Sequence, residues 1–452
     1  MLPVSRGADT NQCWWRCSPN SHWQMTRNNQ PKRSFHLFIF GAFAMTLSPS
    51  NSKPLDIVII GAGIGGLTAG IALQRHGHRV RLFDRVAELT PAGAAISVWP
   101  NGVNILEKLG LGDEIKSFSG SMDTMSYSTH KGALLTRFSL EPLYKSVEQR
   151  ACPIARTVLQ KVLLNACGAE NVTLSVSCDS VEAQEGGVLV KLSDGQRIQA
   201  DLVVAADGTH SRLRNYVAGC EVARDYCGYV NWNGRVDASD DLASAAEWTQ
   251  FVGDQKRVSL MPIGNGQFYF FFDVPLPAGT LNVRERYREE LYSHFEGWAP
   301  PVRALIERMD TSIVSRVEIH DIAPITSFVK GRVVLLGDAA HPMAPDLGQG
   351  GCQAMEDAWV LAKCLELRAA DVVAALDLYN TARVDRTAQI MLRARSRSEL
   401  THGRSPAHTQ AWYQELAQET GQRVIAGIVK TTLGGGKWYS ADPEVTNPAC
   451  AI

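Results

Sequence analysis

Residues 55–85 read LDIVIIGAGIGGLTAGIALQRHGHRVRLFDR and determine how the fold begins. The run from Asp56 to Ile60 is typical of a buried strand, and Leu67 to Gly77 has the spacing of a helix. A second short strand, Arg79 to Phe83, ends at Asp84. The order of these elements predicts a complete βαβ unit.

Glycines stand where this unit turns from strand to helix. Gly61, Gly63 and Gly66 form G-x-G-x-x-G, which allows a tight turn, close approach of backbone to a pyrophosphate, and close helix–strand packing. Asp84 stands where the ribose of a dinucleotide is expected. The unit therefore predicts dinucleotide binding, but the motif alone does not choose between FAD and NAD.

A second informative segment, residues 332–357, reads RVVLLGDAAHPMAPDLGQGGCQAMED. A short strand turns at Gly337-Asp338, and a glycine cluster at residues 348–351 precedes a helical pattern. A carboxylate at a strand end and free N–H groups at a helix N-terminus suit a polyhydroxylated, anionic cofactor. Alone, the segment fits equally well an ordinary βα turn whose glycines only permit tight packing.

Between these segments lies ADLVVAADGTHSRLR, a strand from Leu202 to Ala205 followed by Asp207-Gly208 and a short basic helix start. Three such segments in this order resemble the single-component FAD-dependent aromatic hydroxylases. The resemblance implies that the first holds the ADP part of FAD and that the second serves both FAD and pyridine nucleotide. The third would hold the ribityl chain and place a helix N-terminus at the flavin pyrimidine.

Further strings narrow the resemblance to the bacterial FAD-dependent urate hydroxylases. They are GAAISVWPNGV at 93–103, GYVNWNG at 228–234, KRVSLMPIGNGQFYFFFDVPLPAG at 256–279, GWAPPV at 297–302, EIHDI at 318–322, PDLGQGGC at 345–352 and AWYQEL at 411–416. The likeness runs from about Leu55 to about Gly434. It implies conversion of urate to 5-hydroxyisourate with NADH and O2, through a flavin C4a-hydroperoxide. His341 to Ala344 departs from the smaller, more polar residues expected there.

The same resemblance implies a set of site residues. Arg257 would orient ligand and flavin, and Tyr269 would be a catalytic phenol. The residues implied for the cofactor are Gly61, Gly63, Gly65, Gly66, Asp84, Arg85, Ser97, Arg156, Val181, Asp207, Asp338, Gly348, Gln349, Gly350, Gly351 and Cys352. From position alone, a surface or sheet-edge cation is the simpler interpretation of Arg257, and a core aromatic that of Tyr269.

A hairpin provides a geometric test of the catalytic pair. If 256–262 and 267–273 pair around Gly264-Asn265-Gly266, Arg257 lies opposite Asp273, and Tyr269 shares its face with Phe271. Phe268, Phe270 and Phe272 would then pack on the other face. A loop of even length would separate Arg257 from Tyr269.

Other polar residues have competing interpretations. Ser97 fits a local cap nearly as well as a cofactor contact, and Arg156 could be a solvated cation. His341 is best explained as a loop histidine bonded to backbone, and Asp346 as a loop or helix-start acid. The helix predicted over 371–399 is most simply scaffold with a solvated charge run.

Composition limits the function classes. A formal net charge of −1 over 452 residues provides no electrostatic case for nucleic acid or for an anionic membrane. Ten scattered cysteines include one close pair, Cys13 and Cys17, and no second pair completes a zinc site. We expect reduced cysteines, a cytoplasmic location and no metal, while oligomeric state is not readable.

The predicted fold is α/β with a β-sheet substrate domain inserted in a discontinuous, Rossmann-like FAD domain of the para-hydroxybenzoate hydroxylase type. The FAD domain is predicted at 55–227 and 324–434, with C-terminal helices, and the substrate domain at 228–323. Residues 1–54 are predicted to be a poorly ordered extension, or one that results from a start codon assigned too early. Their apolar run at 37–45 is shorter than the ~20 residues of a membrane span. Residues 435–452 are predicted to be a flexible tail.

Two alternatives to urate hydroxylation stay open at this point. One is hydroxylation of another small aromatic acid, such as a salicylate-like phenol. The other is a flavin-holding redox module without hydroxylation. Substrate-stimulated consumption of NADH and O2 separates these functions, and the choice between NADH and NADPH is not readable from the residues.

Overall fold

The structure is a computed structural model, which describes residues 53–89, 93–403 and 405–434. The predicted N-terminal extension, apart from residues 53 and 54, and the predicted tail from residue 435 lie outside the described residues.

The chain alternates between two large sheets and their covering helices. The strands are β1 Asp56–Ile60, β2 Arg79–Phe83, β3 Ala95–Val98, β4 Thr124–Thr129, β5 Leu134–Ser139, β6 Cys152–Ala155, β7 Val172–Thr173, β8 Cys178–Gln184, β9 Gly187–Leu192, β10 Arg197–Ala200, β11 Leu202–Ala205, β12 Asp225–Asp237, β13 Glu247–Gly253, β14 Lys256–Ile263, β15 Gln267–Pro275, β16 Ser315–Asp321, β17 Val329–Lys330 and β18 Val333–Leu335.

Helices connect the strands and form the C-terminal part of the described chain. They are α1 Ile64–Arg75, α2 Pro100–Lys108, α3 Gly112–Phe118, α4 Glu141–Val147, α5 Arg156–Cys167, α6 Leu213–Ala218, α7 Tyr287–His294, α8 Pro300–Arg308, α9 Gly350–Leu367, α10 Val372–His402, α11 Pro406–Leu416 and α12 Gln422–Leu433. Short 3-10 turns lie at Ala169–Asn171, Arg284–Arg286, Gly337–Ala339 and Pro345–Leu347.

The first sheet has six strands in the order β17-β18-β11-β1-β2-β7. Strand β1 lies parallel to both β11 and β2. Its residues from Ile57 to Ile60 are buried, as expected for a parallel strand covered by helices on both faces. The sheet brings the carboxyl ends of β1, β2, β11 and β18 to one edge, where the three predicted cofactor segments begin.

The second large sheet has seven strands in the order β16-β12-β15-β14-β13-β4-β5. One face buries Trp232, Phe268, Phe270 and Phe272 against α7 and α8. The opposite face carries Arg257, Tyr269 and Phe271, which alternate with the buried set because successive side chains of a strand point to opposite faces.

The C-terminal part is helical. Asp371 caps α10 by accepting a hydrogen bond from the Ala374 N–H at 3.1 Å, which satisfies one free donor of the first turn. Helices α11 and α12 follow it. In the described part of the chain, no helix is both long enough and apolar enough to cross a membrane.

The architecture confirms the predicted fold class, a Rossmann-like unit combined with an antiparallel-rich sheet and C-terminal helices. The substrate sheet also includes β4 and β5, which lie before residue 228. Their distant pairing was not visible as local periodicity. The division of the chain at residues 228 and 323 stays a prediction.

Candidate functional site

The turn after β1 requires glycine at two positions. Gly61 has φ +107°, and a Cβ there would collide with the Ala206 carbonyl. A Cβ on Gly66 would collide with the carbonyl of Gly61. At Gly63 a Cβ would meet nothing within 4 Å, so open space lies over the backbone at the start of α1. Gly65 packs instead against Leu336, where a Cβ would lie 2.8 Å from Cδ2.

The carboxylate of Asp84 lies at the opening of this turn. Its Oδ2 accepts a hydrogen bond from the Ala62 N–H at 2.7 Å, and its Oδ1 accepts one from the Val86 N–H at 3.1 Å. Arg85 is exposed beside it. The end of β2 therefore offers a fixed acceptor next to the free N–H groups of α1.

A buried arginine fastens the second cofactor segment to the third. Arg214 is 2% exposed, and it donates to the backbone oxygens of Asp338 at 2.7 Å and Ala339 at 2.8 Å. It also donates to the carbonyl of Thr209 at 3.2 Å. The sequence interpretation missed this role, because nothing distinguished Arg214 from the other cations of a short basic helix.

Two carboxylates near Arg214 can accept further hydrogen bonds. Asp207 Oδ2 accepts from the Arg212 N–H at 3.0 Å, whereas its Oδ1 is buried and has no hydrogen-bond partner among the described residues. Asp338 lies in the turn Gly337–Ala339 with its side chain exposed. Both face the edge of the first sheet where strands β11 and β18 end.

The start of α9 forms the third part of this edge. No side chain caps the helix, and Gly348 just before it has φ +62°. A Cβ on Gly348 would lie 2.9 Å from Ser97 Oγ, so β3 and this loop are in close contact. Ser97 lies within β3 and does not cap α2, whose N-cap is Trp99.

Hydrogen bonds from residues 99 and 101 fix the side chains at the start of α9. The Asn101 amide donates to Gln349 Oε1 at 3.0 Å and to Glu356 Oε1 at 2.7 Å. The Trp99 N–H points to Cys352 Sγ at 3.3 Å. A Cβ on Gly351 would collide with Ile96, and one on Gly350 would lie 3.7 Å from Asp338 Oδ1. The predicted residues 348–352 therefore meet Asp338 and Ser97 in one place.

A buried ionic network anchors α9 to α10. Arg383 is 1% exposed and donates to Glu356 Oε2 at 2.8 Å and to Asp357 Oδ1 at 2.6 Å. His341 Nε2 lies 2.6 Å from Asp357 Oδ2, which also accepts from the Gly337 N–H at 2.8 Å. The expectation that backbone would satisfy His341 is therefore wrong, because a carboxylate sixteen residues later reaches its ring.

The remaining predicted cofactor residues lie farther along the chain. Arg156 begins α5, and its Nη1 lies 3.3 Å from the position that a Cβ on Gly93 would occupy. Val181 is buried within β8 of the three-stranded sheet β10-β9-β8. Because its side chain belongs to the core, any cofactor contact there would involve its backbone.

The predicted hairpin is confirmed. Strands β14 and β15 pair with Arg257 opposite Asp273, Ser259 opposite Phe271 and Met261 opposite Tyr269. Arg257 and Tyr269 share one face, about 13 Å apart along the strands at ~3.3 Å per residue. Arg257 is only 5% exposed, so the alternative of a surface or sheet-edge cation is wrong.

Arg257 is held between two carboxylates. Its Nη2 lies 2.8 Å from Asp273 Oδ2 and 3.0 Å from Asp346 Oδ1. Its guanidinium also stacks over the Phe271 ring, 5.1 Å from the centroid. Burial opposes its charge, yet the two carboxylates raise the pKa of Arg257. The result is a fixed cation with part of its donor fork facing the site.

Asp346 belongs to this site, although the sequence interpretation treated it as a loop or helix-start acid. Its Oδ2 accepts a hydrogen bond from the Tyr229 hydroxyl at 2.6 Å. The ring of His402 lies between the two carboxylates, with Nε2 3.5 Å from Asp273 Oδ2 and 3.7 Å from Asp346 Oδ1. No local signal marked Asp346, because its partners come from β12, β14 and α10.

Asp273 differs from a free carboxyl in its surroundings. Burial disfavours ionisation of Asp273, but Arg257 and His402 outweigh it and lower the pKa of Asp273 to about 2. The carboxylate is therefore charged near neutral pH and fixes the orientation of Arg257.

Tyr269 lies farther along the same face. Its ring centroid is 5.7 Å from that of Phe271, and it packs against Ala95 and Ala155. Burial raises the pKa of Tyr269 to about 12, and the nearby Arg156 lowers it only in part. The phenol is therefore protonated near neutral pH.

The residues of this edge fit FAD. Two helices, α1 and α9, start without a side-chain cap, so their free N–H groups favour negative charge. Asp84, Asp207 and Asp338 supply acceptors for sugar-like hydroxyls, and one oxygen of Asp207 is buried without a partner in the described part of the chain. The open space over Gly63 permits close approach of a phosphate.

Comparison with known proteins identifies the family. Residues 54–394 match the model of the FAD binding domain family. An FAD-dependent urate hydroxylase of Klebsiella pneumoniae subsp. pneumoniae is 48% identical over 382 residues, which cover 84% of this chain and 99% of that protein. One of Mycolicibacterium vanbaalenii is 46% identical over 384 residues, covering 84% of this chain and 97% of that protein.

A solved structure shows the same arrangement of the chain. The structure of Klebsiella pneumoniae HpxO complexed with FAD and uric acid has a TM-score of 0.82 and 46% sequence identity to this protein. The match covers 85% of this chain and 97% of that one. The chain therefore belongs to the FAD binding domain family and, within it, to the group of FAD-dependent urate hydroxylases.

Proposed function

We propose that this protein is an FAD-dependent monooxygenase that hydroxylates urate at C5. Urate, NADH, a proton and O2 would yield 5-hydroxyisourate, NAD⁺ and water. The observation that carries this proposal is the buried Arg257–Asp346 pair directly before the uncapped start of α9. It combines a built site for a planar anion with the place where a flavin ring is expected, in a chain similar to urate hydroxylases over most of its length.

Urate suits the charge and geometry of this cluster. It is a planar anion near neutral pH, and its edge carries both hydrogen-bond acceptors and N–H donors. The planar fork of Arg257 can donate to the acceptors, and Asp346 can accept from a ring N–H. Because Asp273 and Tyr229 hold these two side chains in place, little ordering remains to be done when the substrate binds.

Tyr269 is proposed to act as a neutral phenol. With its pKa at about 12, it can donate a hydrogen bond to the substrate and accept one, but it does not supply a phenolate near neutral pH. Arg257 would orient the ring, and Tyr269 would hold a proton near the reacting edge. Phe271 between them helps to exclude water from the reacting atoms.

FAD, when bound, supplies the electron transfer and oxygen activation that no side chain provides. In the proposed arrangement the start of α1 and Asp84 hold the pyrophosphate and ribose. Asp338 holds the ribityl chain, and the start of α9 faces the pyrimidine. The dipole of α9 then favours negative charge on the reduced ring system.

The test is a paired assay of NADH oxidation and O2 consumption on the purified, FAD-loaded protein. We expect urate to stimulate both, with formation of 5-hydroxyisourate in matching amount. Turnover of a salicylate-like phenol without any response to urate would contradict the proposal. Bound FAD with no substrate-stimulated O2 consumption would instead identify a redox module. Replacing NADH by NADPH in the same assay determines which reductant is preferred.

We infer that the protein works in the cytoplasm, where NADH is supplied. Its seven described cysteines are all unpaired, as this location requires. The proposed partners are small molecules, namely urate, NADH and O2.

A further inference from the structure

A cavity of about 340 Å³ lies beside the proposed urate site, under the C-terminal helices. It shares Asp346, Leu347 and Gln349 with that site. Strands β4 and β13 contribute Met125, Tyr127 and Trp248, and helices α10, α11 and α12 form the rest of the wall. The proposed hydroxylation step does not use this cavity.

The cavity leads from the interior to the surface. Trp99 and Gln349 at its inner end are 3% and 2% exposed. Glu415 and Arg423 at its outer end are exposed, and they are paired with each other at 3.6 Å. The space therefore connects solvent with the residues around Asp346.

Aromatic rings line the cavity at both depths. Trp99 and Trp248 lie with ring centroids 6.1 Å apart near the inner end. Trp412 and Tyr127, at 6.2 Å, form a second aromatic pair nearer to α11. An aromatic lining of this kind suits a planar aromatic molecule.

Three arginines and three acids line the cavity. Asp346 is paired with Arg257, and Glu415 and Glu419 are paired with Arg423, so the arginines that remain are Arg393 and Arg397. Arg393 and Arg397 lie one turn apart on α10, and both are half-buried. Arg393 donates to the Gly427 carbonyl at 3.1 Å, and Arg397 stacks on Trp412 at 4.3 Å from the centroid. Within the described residues neither forms an ion pair with a carboxylate, whereas Arg423 at the rim is paired with Glu419 at 3.0 Å.

Because Arg393 and Arg397 have no acidic partner among the described residues, their positive charge stays available to an incoming anion. Arg257 cannot serve as the attracting charge for an incoming anion, because Asp273 and Asp346 already compensate it. We propose that this cavity is the path by which the planar anionic substrate reaches Arg257, and that Arg393 and Arg397 attract it. The inference rests on the proposed urate hydroxylation, whose substrate has this shape and charge.

The charge component is tested by the double variant Arg393→Met and Arg397→Met. Stopped-flow measurement of the flavin absorbance change on mixing with urate, without NADH, gives the association and dissociation rates. We expect association to slow by about tenfold or more at low salt, as electrostatic attraction contributes on this scale. The difference should shrink at high salt, and the turnover rate at saturating urate should stay near that of the wild type.

The double variant Arg303→Met and Arg308→Met is the matched charge control, because it also removes two positive charges. Both residues lie on α8 outside the cavity lining, with side chains 75% and 43% exposed. We expect its association rate to equal that of the wild type. Equal association rates in the cavity double variant and this control would overturn the role of Arg393 and Arg397.

A second experiment narrows the cavity with a larger side chain in its wall and tests whether urate passes through it. Gly427 lines the cavity within α12, and a Cβ there would meet only Arg393 Nη2 at 3.9 Å. Gly427→Leu therefore has room and gains helix propensity. A narrowed path slows association and dissociation together, by about the same factor, and leaves the dissociation constant of urate within about twofold.

Ala426→Leu is the control for this substitution, because Ala426 is exposed on the same helix. Unchanged rates in Gly427→Leu, with urate turnover intact, would overturn the path while leaving the proposed function in place. If urate changes neither the flavin spectrum nor the O2 consumption of the wild-type protein, both the proposed function and this inference are contradicted.

Discussion

At the scale of single residues, Arg257 dominates the chemistry of the site. Its guanidinium compensates two buried carboxylates and still presents donors toward the place where the substrate is proposed to bind. A lysine would supply the charge but not the planar fork, so the two residues are not interchangeable there. The effect of a substitution is therefore expected in the orientation of the substrate more than in cofactor binding.

Replacing Arg257 with Gln should leave FAD bound while NADH oxidation no longer leads to hydroxylation. We expect the ratio of 5-hydroxyisourate formed to NADH oxidised to fall about tenfold or more. A tenfold change corresponds to ~1.4 kcal/mol, and the loss of a charge-assisted bidentate contact is expected to cost at least this much. Arg257→Lys serves as the control that keeps the charge. Normal coupling in the Gln variant would remove Arg257 from its proposed role.

Tyr269→Phe should lower the rate of hydroxylation more than the affinity for urate. The hydroxyl is proposed to take part in proton transfer. A side chain in that role raises the reaction rate by about a hundredfold or more, so its loss should lower the rate by a similar factor. Because burial raises the pKa of Tyr269 to about 12, the pH profile of the wild type should show no ionisation of this phenol below about pH 10. Comparable losses in turnover and in urate binding would contradict the assignment.

At the scale of elements, the β1–α1 turn separates two roles of glycine. Gly61 is required by backbone conformation and by the Ala206 carbonyl, whereas Gly63 has φ −73° and open space above it. The first glycine serves the fold and the second leaves room for the cofactor.

Gly63→Ala should therefore leave the stability of the cofactor-free protein within about 0.5 kcal/mol and weaken FAD binding by about tenfold or more. Titration of flavin fluorescence and urea unfolding measure the two effects. Gly61→Ala is the contrasting variant, and we expect it to destabilise the protein without FAD. Wild-type FAD affinity in Gly63→Ala would contradict the proposed position of the pyrophosphate.

The α9–α10 network should contribute stability that acid removes. Burial disfavours ionisation of Asp357, but His341 and Arg383 lower its pKa to about 2 from 3.8. A lowered folded-state pKa gives stability that is fully present above about pH 4 and is lost as the pH falls through about 2. This change in pKa corresponds to roughly 2.5 kcal/mol at ~1.4 kcal/mol per pKa unit.

Asp357→Asn should destabilise the protein by about 3–5 kcal/mol near neutral pH, because Arg383 loses a buried partner. Urea unfolding between about pH 7 and pH 2.5 should show the difference from the wild type shrinking toward the acid end. Asp377→Asn, at an exposed position of α10, is the control and should change stability by less than about 0.5 kcal/mol. A difference that does not vary with pH would contradict the low pKa of Asp357.

Helices, strands and turns could be predicted from the sequence where local patterns determine them. The βαβ unit, the hairpin of β14 and β15 and the long helix α10 follow from periodicity and turn residues. The solvated face predicted for α10 is wrong in part. Its charge run was taken as a solvated face, yet Arg383 is buried and Arg393 and Arg397 line a cavity. Their partners come from other elements, so no local pattern could identify them.

At the scale of the whole molecule, the two sheets place cofactor and substrate residues against each other. The first sheet collects three cofactor segments at one edge, and the second sheet presents Arg257 and Tyr269 on the face opposite its hydrophobic core. The resemblance to a known family supplied the roles of these two residues. It did not indicate Arg214, Asp346 or His402. Arg214 reaches Asp338, and His402 reaches Asp346, only in the folded chain.

The most direct test of the account is the origin of the oxygen atom in the product. The FAD-loaded protein is incubated with urate, NADH and O2 that carries a heavy oxygen isotope, and the product is analysed by mass spectrometry. Hydroxylation of urate by this protein should give 5-hydroxyisourate with one labelled oxygen atom, formed only when urate and NADH are both present. Oxidation of NADH that yields hydrogen peroxide, with urate recovered unchanged, would contradict it.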